Sequence, residues 1–224
     1  MKMAILTPSR GRPEGFRAMV AAVRDTATFP DEIAIYLATD EDDVEYAAPP
    51  GVICLRGPRQ RLAGWANQLA TVALEDGAEI LGFLGDDHRP RTAGWDLQVV
   101  GAFTQMSSGL VYCADGLQNE RLPTAPFWSA DVIRALGFFY PPKQVHLYAD
   151  DYWLRLACDL GRRYYLGGVL IEHCHPSAGK AVYDDTYREN DTWYEHDRRA
   201  FEAFVREEHP ACLARVQEAL CASL

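Results

Sequence analysis

The sequence predicts an α/β fold in which a mostly parallel central sheet is flanked by helices and followed by a C-terminal helical extension. Short apolar strands alternate with amphipathic helices over residues 3–115. The strand expected at 79–84 is continuously apolar after its first residue, as is typical of a central strand covered on both faces. Polar clusters follow the first, second and fourth strands, at the edge where α/β sheets bind ligands.

Each element of the first half has a local signal. The predicted strands are residues 3–7, 32–39, 52–55, 79–84 and 109–113. The predicted helices are residues 14–28, a longer segment that opens at 57–58, and 92–106. Pro13 suits the first position of the first helix, and Thr92 is a suitable N-cap for the third. The second helix places its apolar residues on one face, at helical spacing.

The second half is less regular. Helices are predicted at 129–136 and 149–160, each followed by a glycine that can end it. A strand is predicted at 164–171, and the polar stretch 177–190 is expected to be mobile. Residues 191–222 are predicted to form one or two amphipathic helices, broken near Pro210.

The composition is typical of a globular protein with reduced thiols. The 224 residues are 48% hydrophobic and contain six cysteines without a CxxC motif, which favours a cytoplasmic location. No apolar run approaches the roughly 18 residues of a membrane helix, and no signal-peptide core follows the first residues. The net charge of −10 disfavours nucleic acid. Arginines clustered in a few loops instead suit a small phosphorylated ligand.

Asp86 and Asp87 end the central apolar strand. Adjacent carboxylates are costly unless something neutralises them, and a divalent cation commonly does so. Successive residues leaving a strand point to opposite sides, so one carboxylate can face a metal ion while the other bonds a neighbouring group. The alternative is a solvated turn.

Two further clusters carry groups capable of chemistry. Asp150 and Asp151 open a predicted helix, where the helix dipole stabilises carboxylates and one of them can act as a general base. His173 and His175 follow the strand at 164–171, and alternation would place both on one face, where one of them can join an aspartate at a metal ion. Satisfied helix-cap and turn residues are the structural alternatives.

These residues resemble, in the same order along the chain, the GT-A-fold glycosyltransferases of the family-2-like kind. The resemblance covers about residues 3–175. It rests on the segments 5–10, 83–87 and 150–156, together with Asp40 after the second strand and Asn67 in the helix after the third strand.

The resemblance implies a GT-A (Rossmann-like) fold and a metal-dependent transfer of sugar from a UDP- or GDP-sugar to a hydroxyl acceptor. It also implies which residues would act as the base, bind the metal ion and bind the donor. Asp151 or Asp150 would be the base of an inverting reaction. Asp87 would bind Mn²⁺ or Mg²⁺ together with His173 or His175. The implied nucleotide-sugar residues are Thr7, Pro8, Ser9, Arg10, Arg12, Asp40, Arg59, Arg61, Asn67 and Asp86.

Two departures from the family pattern leave alternatives open. Gly85 stands where the first aspartate of the usual Asp-x-Asp motif would be, so the metal ligand can be Asp86, Asp87 or His88. The later pair is Asp-Asp rather than Glu-Asp, so the base can shift by one residue. A nucleotidyltransferase of related fold and a non-catalytic nucleotide- or sugar-binding module are the competing functions.

The expected organisation is one domain over residues 1–190 with a helical tail at 191–224 packed on it. Residues 1–115 are expected to form the donor half and residues 116–190 the acceptor half. The acceptor is not identified by the sequence, and neither is the oligomeric state.

Overall fold

The computed structural model describes residues 1–44 and 46–222, and an eight-stranded sheet organises that part of the chain. The strands are β1 (Met3–Pro8), β2 (Ile33–Asp40), β3 (Val52–Gly57), β4 (Ile80–Phe83), β5 (His88–Pro90), β6 (Leu110–Ala114), β7 (Pro126–Ser129) and β8 (Arg163–His173). Their spatial order is β3-β2-β1-β4-β7-β6-β8-β5. Four of the neighbouring pairs are parallel and three are antiparallel, which confirms the predicted mostly parallel sheet.

Helices cover both faces of this sheet. They are α1 (Pro13–Thr26), α2 (Arg61–Glu75), α3 (Trp95–Met106), α4 (Ala130–Leu136), α5 (Ala149–Leu160), α6 (Asp185–Asp191), α7 (Tyr194–Glu207) and α8 (His209–Ala222). Helices α1 and α3 pack on one face, and α2, α4, α5 and α8 pack on the other. No helix in the described residues is both long and apolar enough to cross a membrane.

The alternation of β1 shows how the sequence separates the two layers. Met3 and Ile5 belong to the core beneath α1 and α3, whereas Ala4 and Leu6 belong to the core beneath α2 and α5. All of them are buried. Because successive strand residues point to opposite faces, a strand covered on both sides has to be apolar throughout.

The two C-terminal helices form part of the second layer. Cys212, Val216 and Leu220 of α8 are buried in the same core as Leu136 of α4. Arg215 donates from Nε to the backbone oxygen of Ala135 at 2.7 Å, at the end of α4. This bond satisfies a carbonyl that the end of the helix leaves without an intrahelical partner.

Three local expectations differ from the structure. Helix α3 begins at Trp95 rather than after Thr92, because the Thr92 hydroxyl accepts a hydrogen bond from Leu170 N at 2.9 Å and so ties the chain to β8. The stretch expected to be a mobile loop at 177–190 contains most of α6. The three-residue strand β5 was not expected, and it pairs antiparallel with β8.

Candidate functional site

A cavity of about 350 Å³ opens at the edge of the sheet where β1, β2 and β4 end. Residues on both sides of position 115 line it. Twelve of the residues singled out in the sequence contribute to its walls: Pro8, Ser9, Arg10, Arg12, Asp40, Arg59, Arg61, Asp86, Asp87, Asp150, His173 and His175. Distant parts of the chain are thus brought together, as expected for the carboxyl edge of parallel strands.

Three of the singled-out residues lie outside the cavity wall. Thr7 is fully buried within β1. Asp151 is only partly exposed and does not line the cavity. Asn67 is occupied by the protein backbone, because its Oδ1 accepts from Phe139 N and Tyr140 N, both at 2.8 Å, and its Nδ2 donates to Tyr140 O at 3.0 Å. These bonds fix the loop after α4, and the predicted ligand role of Asn67 stays untested.

Asp86 and Asp87 face different partners, as expected for successive residues after a strand. Asp86 is 7% exposed and accepts a hydrogen bond from the Ser9 hydroxyl at 2.5 Å. Its other oxygen lies 3.4 Å from Arg12 Nη1. Asp87 accepts a hydrogen bond from the Tyr187 hydroxyl at 2.8 Å. In the turn between β4 and β5, Asp86 therefore bonds the loop between β1 and α1, whereas Asp87 faces the cavity.

The two carboxylates also differ in acidity. Burial, reinforced by the neighbouring charge of Asp87, raises the pKa of Asp86 to about 6. Burial would also raise the pKa of Asp87, but contacts with His173 and His88 outweigh it and lower this pKa well below its ordinary value. Asp87 is therefore the carboxylate that is charged over the wider pH range, which suits a cation ligand.

Asp87, His88 and His173 form a group that can hold a metal ion. One possible ligand atom from each lies within 4.8 Å of the others. Asp87 Oδ2 is 3.4 Å from His173 Nε2. The pairing of β5 with β8 places His88 directly opposite His173, and the two rings stack with their centroids 4.3 Å apart. His88 Nε2 and His173 Nδ1 are both buried without a hydrogen-bond partner, so two ring nitrogens of this group lack a polar contact.

His175 lies at the cavity but outside this group. Strand β8 ends at His173, so the alternation that would place both histidines on one face does not extend to position 175. His175 instead precedes a 3₁₀ turn, and its Nδ1 lies 2.7 Å from the Ser177 hydroxyl. Of the two histidines, His173 is the one that lies beside Asp87, together with His88, and its role as a metal ligand stays a prediction.

Asp115 supports His173 from behind the cavity. Its backbone oxygen accepts from His173 N at 2.9 Å, and its Oδ2 lies 3.9 Å from His173 Nδ1. Asp115 is 1% exposed, and its Oδ1 accepts from three consecutive backbone N–H groups, those of residues 117–119. The 3.9 Å separation is too long for a hydrogen bond to Nδ1, so Asp115 acts on His173 through its negative charge, which helps to raise the pKa of His173, and through the backbone bond.

Asp40 is engaged by side chains of the protein on both of its oxygens. Trp65 Nε1 donates to Oδ1 at 2.6 Å, and Arg10 Nη1 donates to Oδ2 at 2.9 Å. Arg59 Nε lies 3.5 Å from the same Oδ2. With 3% of its surface exposed, Asp40 orients these two arginines at the cavity edge.

Asp150 and Asp151 lie in the first turn of α5. The N-cap residue of this helix, Tyr148, adopts a left-handed backbone conformation with φ of 67°. Asp150 lines the cavity. Burial, followed by the negative charge of Asp151, raises the pKa of Asp150 to about 7. A carboxylate with a pKa near 7 is suited to general base catalysis at neutral pH. Asp151 or Asp150 was predicted as the base; Asp150 lines the cavity and Asp151 does not, and the catalytic role stays a prediction.

The loop at 145–147, next to Asp150, is held by a residue of α7. Asp197 is fully buried, and its carboxylate accepts hydrogen bonds from Val145 N, His146 N and Leu147 N at 2.9, 2.8 and 2.7 Å. All three loop residues line the cavity. Asp197 of α7 therefore fixes one wall of the cavity, although it does not itself line the cavity.

Helix α6 supplies residues that the sequence analysis did not single out. Asp184, at its N-cap, bonds Arg12 Nη2 at 2.6 Å and Arg12 Nε at 2.8 Å. Glu189 bonds Arg59 Nη2 at 2.6 Å and Arg61 Nη1 at 2.5 Å. The only sequence signal was an acidic composition, which cannot specify contacts across more than 120 residues.

Comparison with solved structures relates the fold to known proteins. The mannosyltransferase PcManGT from Pyrobaculum calidifontis, in complex with GDP-Man and Mn²⁺, matches with a TM-score of 0.61 and 11% identity over 99% of this chain and 74% of that chain. S. aureus TarS 1-349 in complex with UDP-GlcNAc matches with a TM-score of 0.54 and 11% identity over 84% of this chain and 64% of that chain. In complex with UDP, the same TarS fragment has a TM-score of 0.55 at 11% identity, with 77% and 60% covered. No protein-family model and no curated protein matches the sequence.

Proposed function

Since the chain has the GT-A fold, we propose that it is a glycosyltransferase that moves a sugar from a nucleoside-diphosphate sugar to a hydroxyl acceptor. One observation carries the proposal. A carboxylate with two histidines, a second carboxylate with a pKa near 7 and a set of arginines all face a single cavity. These are the groups needed to hold a diphosphate and to remove a proton from an attacking hydroxyl.

The donor is assigned to the side of the cavity built by β1, β2 and α2. Arg10, Arg12, Arg59 and Arg61 line it and can donate to phosphate oxygens in pairs. Asp40 acts in this proposal by orienting Arg10 and Arg59 rather than by binding the base, because both of its oxygens already accept from the protein. The complexes of PcManGT with GDP-Man and of TarS with UDP-GlcNAc support a nucleotide-sugar donor.

The residues present fit a divalent cation at Asp87, His173 and His88. One carboxylate and two imidazoles suit Mn²⁺ better than Mg²⁺, which prefers oxygen ligands. When bound, such a cation would neutralise the charge that develops on the leaving diphosphate. The Mn²⁺ in the PcManGT complex supports this choice.

Asp150 is the proposed base. Its carboxylate would accept the proton of the acceptor hydroxyl while the hydroxyl oxygen forms a bond to the anomeric carbon. The bond from that carbon to the diphosphate oxygen breaks and leaves its electron pair on the nucleoside diphosphate. Direct attack of this kind inverts the anomeric centre. Leu147 and Tyr148 lie beside Asp150 on the cavity wall, so the acceptor is assigned to this side.

Thermal unfolding with and without ligand tests donor binding. UDP or GDP with MnCl₂ should raise the melting temperature, because a ligand at 100 times its Kd stabilises the folded state by about 2.7 kcal/mol. The substitution Asp87→Asn should remove the Mn²⁺-dependent part of the shift. Asp25→Asn, at an exposed position of α1, is the matched control and should retain it.

Turnover separates an enzyme from a binding module. With water as the acceptor of the sugar, slow hydrolysis of a panel of nucleotide sugars should release UDP or GDP at a detectable rate with the unaltered protein. The substitution Asp150→Asn should abolish this release while the thermal shift with nucleotide and Mn²⁺ persists. If no nucleoside diphosphate shifts the melting temperature with any divalent ion, the proposed function is wrong.

A further inference from the structure

A segment across the mouth of the cavity already occupies the groups assigned to the diphosphate. We call this segment, residues 184–193, the strap; it contains α6. It makes ion pairs to Arg12 through Asp184 and to Arg59 through Glu189. The Tyr187 hydroxyl donates to Asp87 Oδ2 at 2.8 Å. The strap therefore contacts both the arginines and the proposed metal ligand.

The strap uses the same donor atoms that a phosphate would need. Arg12 donates bidentate hydrogen bonds from Nε and Nη2 to the Asp184 carboxylate. Arg59 Nη2 and Arg61 Nη1 both donate to Glu189. A guanidinium bonds carboxylate and phosphate with the same fork of N–H groups. The strap carboxylates and a diphosphate would therefore compete for these forks.

The charge of the cavity points to the same competition. Its lining carries four arginines and six aspartate or glutamate residues, of which Glu189 and Asp191 belong to the strap. With the strap in place, the formal charge of the lining side chains is negative and disfavours a diphosphate. Without Glu189 and Asp191 the formal charges of the lining side chains balance, and a divalent cation would then make the site positive.

The strap is attached in a way that allows it to leave. No residue of α6 is buried, so its departure exposes no core side chain. The carboxylates of its ion pairs are partly exposed, 41% for Asp184 and 37% for Glu189, and their partners Arg12 and Arg59 are 16% and 33% exposed. Exposed ion pairs of this kind contribute little stability. By contrast, the next helix, α7, is anchored through the fully buried Asp197.

We propose that the strap is an internal competitor of the donor. In the ligand-free protein its carboxylates hold the arginines, and a nucleoside diphosphate binds by displacing them. This inference rests on the proposed function, since it takes the arginines to be the diphosphate site. The alternative is that the strap closes over a bound donor, in which case the same contacts would strengthen donor binding.

Two substitutions remove the competing charges and leave the rest of the strap unchanged. Asp184→Asn keeps an N-cap side chain that can accept from Tyr187 N, as Asp184 does. Glu189→Gln keeps the shape of the side chain. Glu202→Gln is the matched control, because Glu202 pairs with Arg198 on α7, and neither residue lines the cavity.

Calorimetric titration with UDP and with GDP, each with MnCl₂, measures the competition. Asp184→Asn should lower the Kd by about twofold to fivefold, the range expected for the loss of one partly exposed ion pair. Glu189→Gln loses the pairs to both Arg59 and Arg61 and should lower the Kd by at least as much. The double variant should bind more tightly than either single variant, and the Glu202→Gln control should match the unaltered protein. An unchanged or raised Kd in the strap variants overturns the competitor role and leaves the proposed function standing. If no variant binds any nucleoside diphosphate, both proposals fail.

Hydrogen exchange of the backbone amides at 185–191 gives an independent test. A nucleoside diphosphate with Mn²⁺ should speed exchange in the unaltered protein, because the strap is displaced. In the ligand-free state, exchange should already be faster in the double variant than in the Glu202→Gln control. Slower exchange of these amides on nucleotide binding would show that the strap closes over the ligand, and would overturn the proposal.

Discussion

Replacement of Asp150 by asparagine should make the protein more stable at alkaline pH, while it removes the proposed base. Burial, with the charge of Asp151, raises the pKa of Asp150 to about 7. In the unfolded chain the same carboxyl group has a pKa of about 3.9. A carboxyl group whose pKa is higher in the folded state favours folding most below the unfolded value. That contribution is lost as the pH rises through 7.

The size of the effect follows from this difference. One pH unit corresponds to about 1.4 kcal/mol, so the full gap between the two pKa values corresponds to about 4 kcal/mol as an upper limit. Solvent in the cavity reduces the penalty for a charged carboxylate. We therefore expect the free energy of unfolding of the Asp150→Asn variant, relative to the unaltered protein, to increase by about 2 kcal/mol between pH 5 and pH 8.

Urea unfolding in EDTA at pH 5, 6, 7 and 8 measures this difference without interference from metal ions. Asp25→Asn, on the exposed side of α1, is the control, and its difference from the unaltered protein should change much less with pH. A stability difference for Asp150→Asn that stays constant over this range would show that Asp150 is not a buried carboxyl group with a raised pKa. The argument for Asp150 as base would then fail.

Three further predictions concern the groups around the cavity. Asp197→Ala should lower the free energy of unfolding by about 2–4 kcal/mol in urea titrations, because it leaves the three partly buried N–H groups of residues 145–147 without their acceptor. A loss below about 0.5 kcal/mol would contradict this. Asn67→Ala should cost about 1–3 kcal/mol of stability by the same assay and leave the Kd for nucleotide unchanged, whereas a weaker Kd at unchanged stability would restore the ligand role. His88→Gln should weaken Mn²⁺ binding, measured by calorimetry, by about tenfold or more. His175→Gln should change it by less than about threefold, and the reverse order would place His175 in the metal site.

The predicted GT-A fold is confirmed because most of its elements have signals within a few residues of sequence. Strand β1 is an apolar run, and α4 ends at Gly137 in the left-handed conformation that glycine favours. Strand β5 has no such signal. Three residues, His88–Pro90, form a strand only because β8 passes beside them. Its pairing depends on a segment more than 70 residues away, which periodicity cannot detect.

The clusters singled out in the sequence line one cavity, whereas the directions of single side chains within them were harder to predict. The opposite directions of Asp86 and Asp87 follow from strand geometry and agree with the structure. The direction of the His175 side chain differs from the one expected from strand alternation, because β8 ends at His173. Asn67 has a polar side chain on a helix near the cavity, but only the folded loop at 139–140 shows that its amide is already used.

Gly85 illustrates how a missing side chain can be a requirement of the site. A Cβ at this position would lie 2.7 Å from Asp87 Oδ1 and 3.1 Å from His88 Nδ1. Gly85 N also donates to His88 Nδ1 at 3.0 Å. The absence of the first aspartate of the usual motif therefore has a steric explanation, since a side chain there would displace the residues proposed to bind the metal.

The attachment of the 145–147 loop to Asp197 has a consequence for the order of events during biosynthesis. All of the proposed donor and metal residues, and the proposed base, precede Asp197 in the chain. Because domains begin to fold while the ribosome is still adding residues, the sheet can assemble before α7 has been translated. The loop beside Asp150 then lacks its anchor. A nascent chain stalled before Asp197 should therefore lack the proposed transferase activity, which should appear only after α7 has been added.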